Sequence, residues 1–217
     1  MKYIIMAGGT YNKWEKPRHL IEVNGEPLIV RTIRLLREYG VTDIAISTNS
    51  DYFDNLGVPI LNHENTYIIP VEGDLKGAWL NAFYPVDEPV CYVFGDVFFS
   101  PEAIKTIVET ETDSIQFFAS APPFTEEYIK PWAEPFAYKV VDTKRFFECI
   151  EKTKEYKEQG KFYRDPLAWE LWQVIKNTEL AVIDYTNYVV INDYTCDIDY
   201  PTDVANILAI IERLKNG

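Results

Sequence analysis

The chain alternates short apolar runs with stretches whose apolar residues recur at helical spacing. Residues 3–7 read as a buried strand that stops at Gly8-Gly9. From Pro27 to Tyr39, the residues Leu28, Ile29, Thr32, Ile33, Leu35 and Leu36 fall on one helical face, with Pro at the start and Gly40 at the stop. Residues 43–48 predict a second strand, and Val58 to Leu61 a short third. Residues 74–84 suit a helix carrying Leu75, Ala78, Trp79, Ala82 and Phe83, and Val90 to Phe94 reads as a strand ending at Gly95-Asp96. Ser100-Pro101-Glu102 combines an N-cap, a proline at the first helical position and a first-turn acid, opening a helix to about Thr110. Such alternation predicts a largely parallel sheet covered on both faces.

After residue 112 the pattern changes. Ser114 to Ser120 and Pro135 to Val141 predict strands, separated by a loop rich in proline and aromatic residues. Residues 142–158 predict a charged amphipathic helix, and Asp165-Pro166 opens another with Leu167, Trp169, Leu171, Trp172 and Ile175. Leu180 to Tyr185 and Tyr188 to Ile191 read as strands, and Pro201 to Leu214 as a terminal helix. The spacing of Trp169 and Trp172 fits a buried helix face. With no repeat, low-complexity tract or linker, residues 1–217 are expected to form one domain whose second half is α+β in style.

Composition narrows the function classes. At 217 residues and 47% hydrophobic the chain can bury a full core, and no apolar run approaches membrane-spanning length. Cys91, Cys149 and Cys196 are odd in number, far apart and lack metal-ligand spacing, so reduced thiols and a cytoplasmic location are expected. A net charge of −13 argues against a nucleic-acid partner. Yet residues 1–37 carry seven Lys/Arg against three Glu. Arg31, Arg34 and Arg37 read as a solvated helix face, whereas Lys13 and Arg18 flank the glycine turn. Glycines after a first strand let backbone N–H groups approach phosphate oxygens. That turn, with cations close behind, points to nucleotide binding.

The full motif is more specific. Ile4-Ile5-Met6-Ala7-Gly8-Gly9, Lys13, Pro17-Arg18-His19-Leu20 and Asn24-Gly25-Glu26-Pro27-Leu28-Ile29 resemble the signature of the nucleotidyltransferase family. That family includes nucleotide-sugar pyrophosphorylases, cytidylyltransferases and molybdenum-cofactor nucleotidyltransferases. Gly95-Asp96 and Ile198-Asp199, followed by Pro201 and Asp203, match where the family carries metal ligands. Three positions depart from the pattern: Tyr11 replaces a glycine, Lys13 an arginine, and Arg18 the lysine of a Pro-Lys pair. Both cation changes keep charge but exchange a planar fork for a point charge or the reverse.

The resemblance implies a Rossmann-like α/β sandwich of three layers, with a mixed, mostly parallel central sheet of the nucleotide-diphosphosugar-transferase kind. Residues 1–112 are then the nucleotide-binding half and 113–217 the acceptor-binding half. It implies Mg²⁺ on Asp96 and Asp199, Lys13 and Arg18 as catalytic cations, and nucleotide contacts from Ala7, Gly8, Gly9, Thr10, Gly73, Asp74 and Ala78. By residue chemistry alone Asp197, Asp199 and Asp203 compete as second ligand or helix cap; the family pattern selects Asp199. Lys139 and Arg164 are candidate acceptor-binding cations. The two histidines, His19 and His63, read as structural or surface residues, because an ionised phosphate acceptor needs no general base.

The implied reaction moves a nucleoside monophosphate, CMP in the small cytidylyltransferases this chain resembles in size, from its triphosphate to a phosphorylated small molecule. Phosphocholine, phosphoglutamine and sugar phosphates are the acceptor types, and surface-polysaccharide precursors the products. Neither a membrane nor nucleic acid is an expected partner, and a homo-oligomer stays open. Two alternatives remain: a glycosyltransferase of the same fold, for which Gly95-Asp96-Val97-Phe98 lacks the second acid of an Asp-x-Asp motif, and an inactive nucleotide-binding module.

Overall fold

The computed structural model describes residues 1–8, 14, 16–63, 78–121 and 132–216. Strand β1 (Lys2–Met6) leads to a 3₁₀ turn at Arg18–Leu20 and then to a two-strand hairpin, β2 (Glu22–Val23) and β3 (Glu26–Pro27). Its turn residues, Asn24 and Gly25, both have positive φ (55° and 80°), the backbone shape that favours Asn-Gly in two-residue hairpins. Helix α1 (Leu28–Glu38) follows, then β4 (Ile44–Thr48), β5 (Ile60–Asn62), β6 (Val90–Phe94) and β7 (Val97–Phe98). The second half contains α2 (Pro101–Glu109), β8 (Ile115–Ala119), β9 (Pro135–Val140), α3 (Thr143–Glu158), α4 (Ala168–Lys176), β10 (Val189–Val190), β11 (Cys196–Asp197) and α5 (Pro201–Asn216). None of the described helices is long and apolar enough to cross a membrane.

Among the described residues seven strands form the central sheet, in the order β10-β8-β9-β6-β1-β4-β5. β1 lies between β4 and β6 and is parallel to both, so the three strands expected in the middle are neighbours. β9 is antiparallel to β6 and β8, which makes the sheet mixed. Successive residues of β1 feed two cores. Tyr3, Ile5 and Ala7 pack with Ile29, Ile33 and Leu36 of α1 and Ile104 and Ile107 of α2, whereas Ile4 and Met6 join Phe146 and Ile150 of α3 and Trp169 and Trp172 of α4. A strand buried on both faces reads as the continuous apolar run seen in the sequence. A third, smaller cluster joins Val23, Leu28, Phe98, Cys196, Ile198 and Ile207, seating α5 against the hairpin. Cys91, Cys149 and Cys196 are buried and form no disulfide among the described residues.

Several predicted elements differ. Of the helix expected over 74–84, residues 74–77 lie outside the described residues, and Ala78–Ala82 form a 3₁₀ turn. That turn is fixed from outside: the Trp79 indole N–H donates to Pro166 O (3.2 Å), and Phe83 inserts among Tyr92, Tyr138 and Phe146. Residues 180–185 are not a strand. Their neighbourhood is held by side chains of α4 instead, since Gln173 Nε2 donates to Glu179 O and Val182 O (2.5 and 2.7 Å) and Lys176 Nζ to Asp184 Oδ2 (2.7 Å). Helix α4 starts after Pro166 because the Glu170 carboxylate reaches back to the Leu167 N–H (2.8 Å), fixing the helix start there. Arg31 is not solvated: it donates to Phe99 O (3.1 Å) and lies 4.5 Å from the Phe98 ring centre.

Gly95 sets how closely β1 and β6 end. Its N–H donates to Met6 O (3.0 Å), and a Cβ there would stand 2.5 Å from that same carbonyl oxygen. The obstructing atom is backbone, so relief requires the strands to part. Gly95→Ala is therefore expected to cost stability at the upper end of overpacking effects, about 3 kcal/mol. Urea unfolding checks this, and an unchanged midpoint would contradict it.

Candidate active site

The chain leaves β1 through α1 toward β4 and later returns on the opposite side to β6. In open α/β sheets such a reversal leaves a crevice outside the carboxyl ends of the strands, where ligands bind. The strand ends here are tied together. Ala7 N–H donates to Ser47 O (2.8 Å), Thr48 Oγ1 donates to Ala7 O (2.9 Å), and Gly95 holds β6 against β1 as described. Asp96 follows Gly95 directly and so stands at the crevice.

Arg18 reaches the same place from the 3₁₀ turn that Pro17 introduces. Its guanidinium ion-pairs with Asp96 and donates through a second nitrogen to Asp199 Oδ1 (2.6 Å). Burial works against the Arg18 charge, but Asp96, Asp197 and Asp199 together hold its pKa above the ordinary arginine value. Asp199 is brought by β11, which pairs antiparallel with β7, and by Ile198 N–H donating to Asp96 O (3.0 Å). The Trp14 indole steadies it by donating to Asp199 O (3.2 Å).

The three aspartates that compete by sequence have different surroundings. Asp203 Oδ2 accepts the N–H groups of Asp199 and Tyr200 (2.8 Å each), so it caps the start of α5. Asp199 accepts Arg18 at the crevice. Asp197 is opposite Val97 in the short ladder, and its N–H donates to Glu134 Oε2 (2.7 Å). Burial first, then the charge of Asp96, pushes the Asp197 carboxyl well above the usual carboxylate range, with Arg18 opposing. Glu134, itself buried, is an acid that sequence reasoning missed. Its only signal was an acid next to Pro135 at the mouth of an apolar strand.

Of the other predicted site residues, Ala7 and Gly8 lie at the carboxyl end of β1, beside this crevice. Gly9, Thr10, Lys13, Gly73 and Asp74 lie outside the described residues, and Ala78 opens the 3₁₀ turn. Lys139 is not brought here, which corrects its reading as an acceptor cation. It sits opposite Cys91 near the start of β6, and its buried amine donates to Val108 O and Thr110 O (3.0 and 2.7 Å), capping α2. Arg164 donates to the fully buried Glu170 (2.6 Å), which also accepts the Tyr163 hydroxyl (2.9 Å). Through Trp169, whose indole donates to Ala133 O (3.3 Å), this network abuts the segment carrying Glu134.

Asp96 and Asp199 suit Mg²⁺ in a particular way. Among the described residues no three His, Cys, Asp or Glu form a closed ligand set. Two carboxylate arms, with the remaining ligands left to phosphate oxygens and water, is how Mg²⁺ is commonly held beside nucleotides. The two carboxylates fit an ion that completes its shell with phosphate oxygens and water.

Solved structures of the nucleotide-diphosphosugar-transferase fold share this architecture. The inositol-1-phosphate CTP transferase from T. maritima aligns with a TM-score of 0.57 and 14% identity, over 100% of this chain and 96% of its own. HddC from Yersinia pseudotuberculosis, complexed with GMP-PN, gives 0.54 and 17%, covering 97% and 99%. CTP:phosphocholine cytidylyltransferase from Streptococcus pneumoniae gives 0.52 and 15%, covering 97% and 98%. At these identities the likeness is one of fold. No curated protein sequence matches the chain significantly. The profile of the MobA-like NTP transferase domain matches residues 3–166, and the chain belongs to that nucleotidyltransferase family.

His19 lies behind the site, edge-on to Phe53 at 5.8 Å. Burial, reinforced by Arg18 and opposed by Asp96, lowers its pKa from 6.5 to about 4. As pH falls, the unfolded chain takes up this proton near 6.5 and the folded one only near 4, so stability drops across that window. The loss amounts to about 3 kcal/mol. Asp197, with its raised value, acts in the opposite direction, so the difference between wild type and His19→Gln isolates the histidine. Denaturant titrations from pH 7 to 4 should show a shallower acid slope in the variant; parallel slopes would refute the assignment.

Proposed function

We propose that the protein is a Mg²⁺-dependent cytidylyltransferase that transfers CMP from CTP to a phosphorylated small molecule and releases pyrophosphate. The observation that carries this reading is Arg18 bridging Asp96 and Asp199 at the joined ends of β1 and β6. A cation facing paired carboxylates near Gly8 at the end of β1 answers the needs of triphosphate chemistry: charge neutralisation and positioning, with little covalent work for the protein. Family membership supports nucleotidyl transfer, and two similar structures bear names that pair CTP with a phosphorylated acceptor.

In the reaction, an acceptor phosphate oxygen attacks the α-phosphorus of CTP. A new P–O bond forms, the bond to the β-phosphate bridging oxygen breaks, and pyrophosphate leaves with that electron pair. The acceptor phosphate has a second pKa of about 6 and is ionised at neutral pH, so no side chain need remove a proton. His19, neutral and buried, is consistent with that economy. Asp96 and Asp199 would hold Mg²⁺, which when bound offsets phosphate charge and acts as a Lewis acid. Lys13 and Arg18 are assigned to the β- and γ-phosphates, where charge gathers as pyrophosphate departs. Residues 120–172 supply the acceptor side, with Arg164 as its cation. Activation of a phosphorylated precursor for a surface polysaccharide, in the cytoplasm, fits this chemistry.

A pyrophosphate-release screen with Mg²⁺, the four NTPs and a panel of phosphocholine, inositol 1-phosphate, phosphoglutamine and sugar phosphates tests the reading. CTP with one acceptor should stand out, and silence across the panel would overturn it. Asp96→Asn should abolish turnover. Arg18→Ala should lower kcat/KM by ~10²–10³, much of it in kcat, as for loss of one preorganised donor. Because Arg18 neutralises two half-buried acids, this variant is also expected to lose stability, so Arg18→Lys serves as its charge-keeping companion. Arg34 forks onto Glu26 (2.8 Å) on the outer face of α1, and Arg34→Ala should leave turnover intact. Equal loss from Arg18→Ala and Arg34→Ala would mean a diffuse field and not a phosphate site.

A further inference from the structure

The end of the crevice away from the acids carries a second polar arrangement. His63 follows β5, an edge strand, yet its ring lies against Ser47 near the end of β4 and against Gly8, just past the end of β1. Its Nδ1 lies 2.9 Å from Ser47 Oγ, and Ser47 is fully buried on β4. Its main-chain N–H donates to Thr48 O (3.2 Å), anchoring the residue at the strand ends. The far edge of the ring covers Gly8: a Cβ on that glycine would stand 2.9 Å from Nε2 and 3.0 Å from Cε1. A bare backbone and an imidazole edge therefore form one wall, which any other residue at position 8 would disturb.

We propose that His63, held in place by Ser47, is a specificity-determining residue that reads the nucleoside of the bound triphosphate through a hydrogen bond from or to Nε2. This rests on the nucleotidyltransferase reading. Neighbouring strands are ~4.8 Å apart, so the end of β4 lies about 10 Å from the end of β6. A triphosphate seated at Arg18 and Asp96 beside β6 thus extends its nucleoside across β1 toward β4, where His63 waits. Burial lowers the His63 pKa, so the ring is neutral at neutral pH. A neutral ring offers phosphate no charge, but it offers an uncharged base edge one hydrogen bond at Nε2. The Ser47 hydroxyl holds the ring orientation in either tautomer, donating to a bare Nδ1 when Nε2 carries the proton and accepting from Nδ1–H when Nε2 is the acceptor. A site built around such a bond rejects bases that cannot complete it.

Equilibrium binding of CTP, UTP, ATP, GTP and inorganic tripolyphosphate, with Mg²⁺, to wild type, His63→Ala, His63→Gln and Ser47→Ala tests the proposal. His63→Ala should weaken the best-bound nucleotide about 10-fold and compress the ranking of the four, with tripolyphosphate affinity unchanged. Ser47→Ala, which removes only the hydroxyl, should compress the ranking in the same direction. His63→Gln and Ser47→Ala carry the test if His63→Ala does not fold. An unchanged ranking in the variants, or an equal loss for tripolyphosphate, overturns the role of His63 while leaving the nucleotidyltransferase reading standing. Failure of the wild type to bind any of the four nucleotides overturns both.

Discussion

Arg18 closes the architecture on itself. Its guanidinium joins Asp96, 78 residues later, and Asp199, 181 residues later, at one point above the central strands. Without that cation, two half-buried carboxylates and the partly buried Asp197 would face one another, and like charges so placed repel at a cost that burial magnifies. Everything that brings these residues together serves the same junction: the missing side chain at Gly95, the two-residue ladder of β7 and β11, and the Asp203 cap that orients Asp199. The fold delivers acids to one place and spends a single arginine on holding them there.

Such an arrangement stores electrostatic readiness. The cluster carries more acid than Arg18 alone neutralises, and burial first, with the charge of Asp96 beside it, raises the Asp197 pKa. A cation arriving with phosphates finds carboxylates already converged. Among the described residues, the side where His63 leans on Gly8 differs chemically from the side that carries Arg18 and its acids. Acids and arginine among the described residues stand beside β6, and the uncharged polar pair of Ser47 and His63 beside β4 and Gly8.

Elements that a single physical rule determines were legible in the sequence. Val90 to Phe94 is the predicted strand because both of its faces are buried, and α2 begins where Ser100 caps it, its Oγ accepting the Ala103 N–H (2.9 Å). The pairing of Gly95-Asp96 with Ile198-Asp199 came from motif resemblance, and the fold brings both to Arg18. What escaped was decided by tertiary contacts without period. Residues 180–185 look like a strand, yet Gln173 and Lys176 take up backbone carbonyls around them. Arg31 and Lys139 look like solvated or substrate-facing cations, but one spans Phe98 and Phe99 and the other finishes a helix. Glu134 could not be singled out because its burial depends on β11, an element two residues long.

The three cysteines acquire a meaning that their spacing concealed. Each belongs to a different hydrophobic cluster: Cys91 to the α1/α2 face, Cys149 to the α3/α4 face and Cys196 to the small core beneath α5. Burial pushes the Cys91 thiol up to about 12 and raises Cys149 as well, so neither carries appreciable thiolate at neutral pH. Thiol reagents reach them only when the surrounding packing opens. The chain therefore contains three native reporters, one per core, from which the order in which its layers come apart can be read without adding a label.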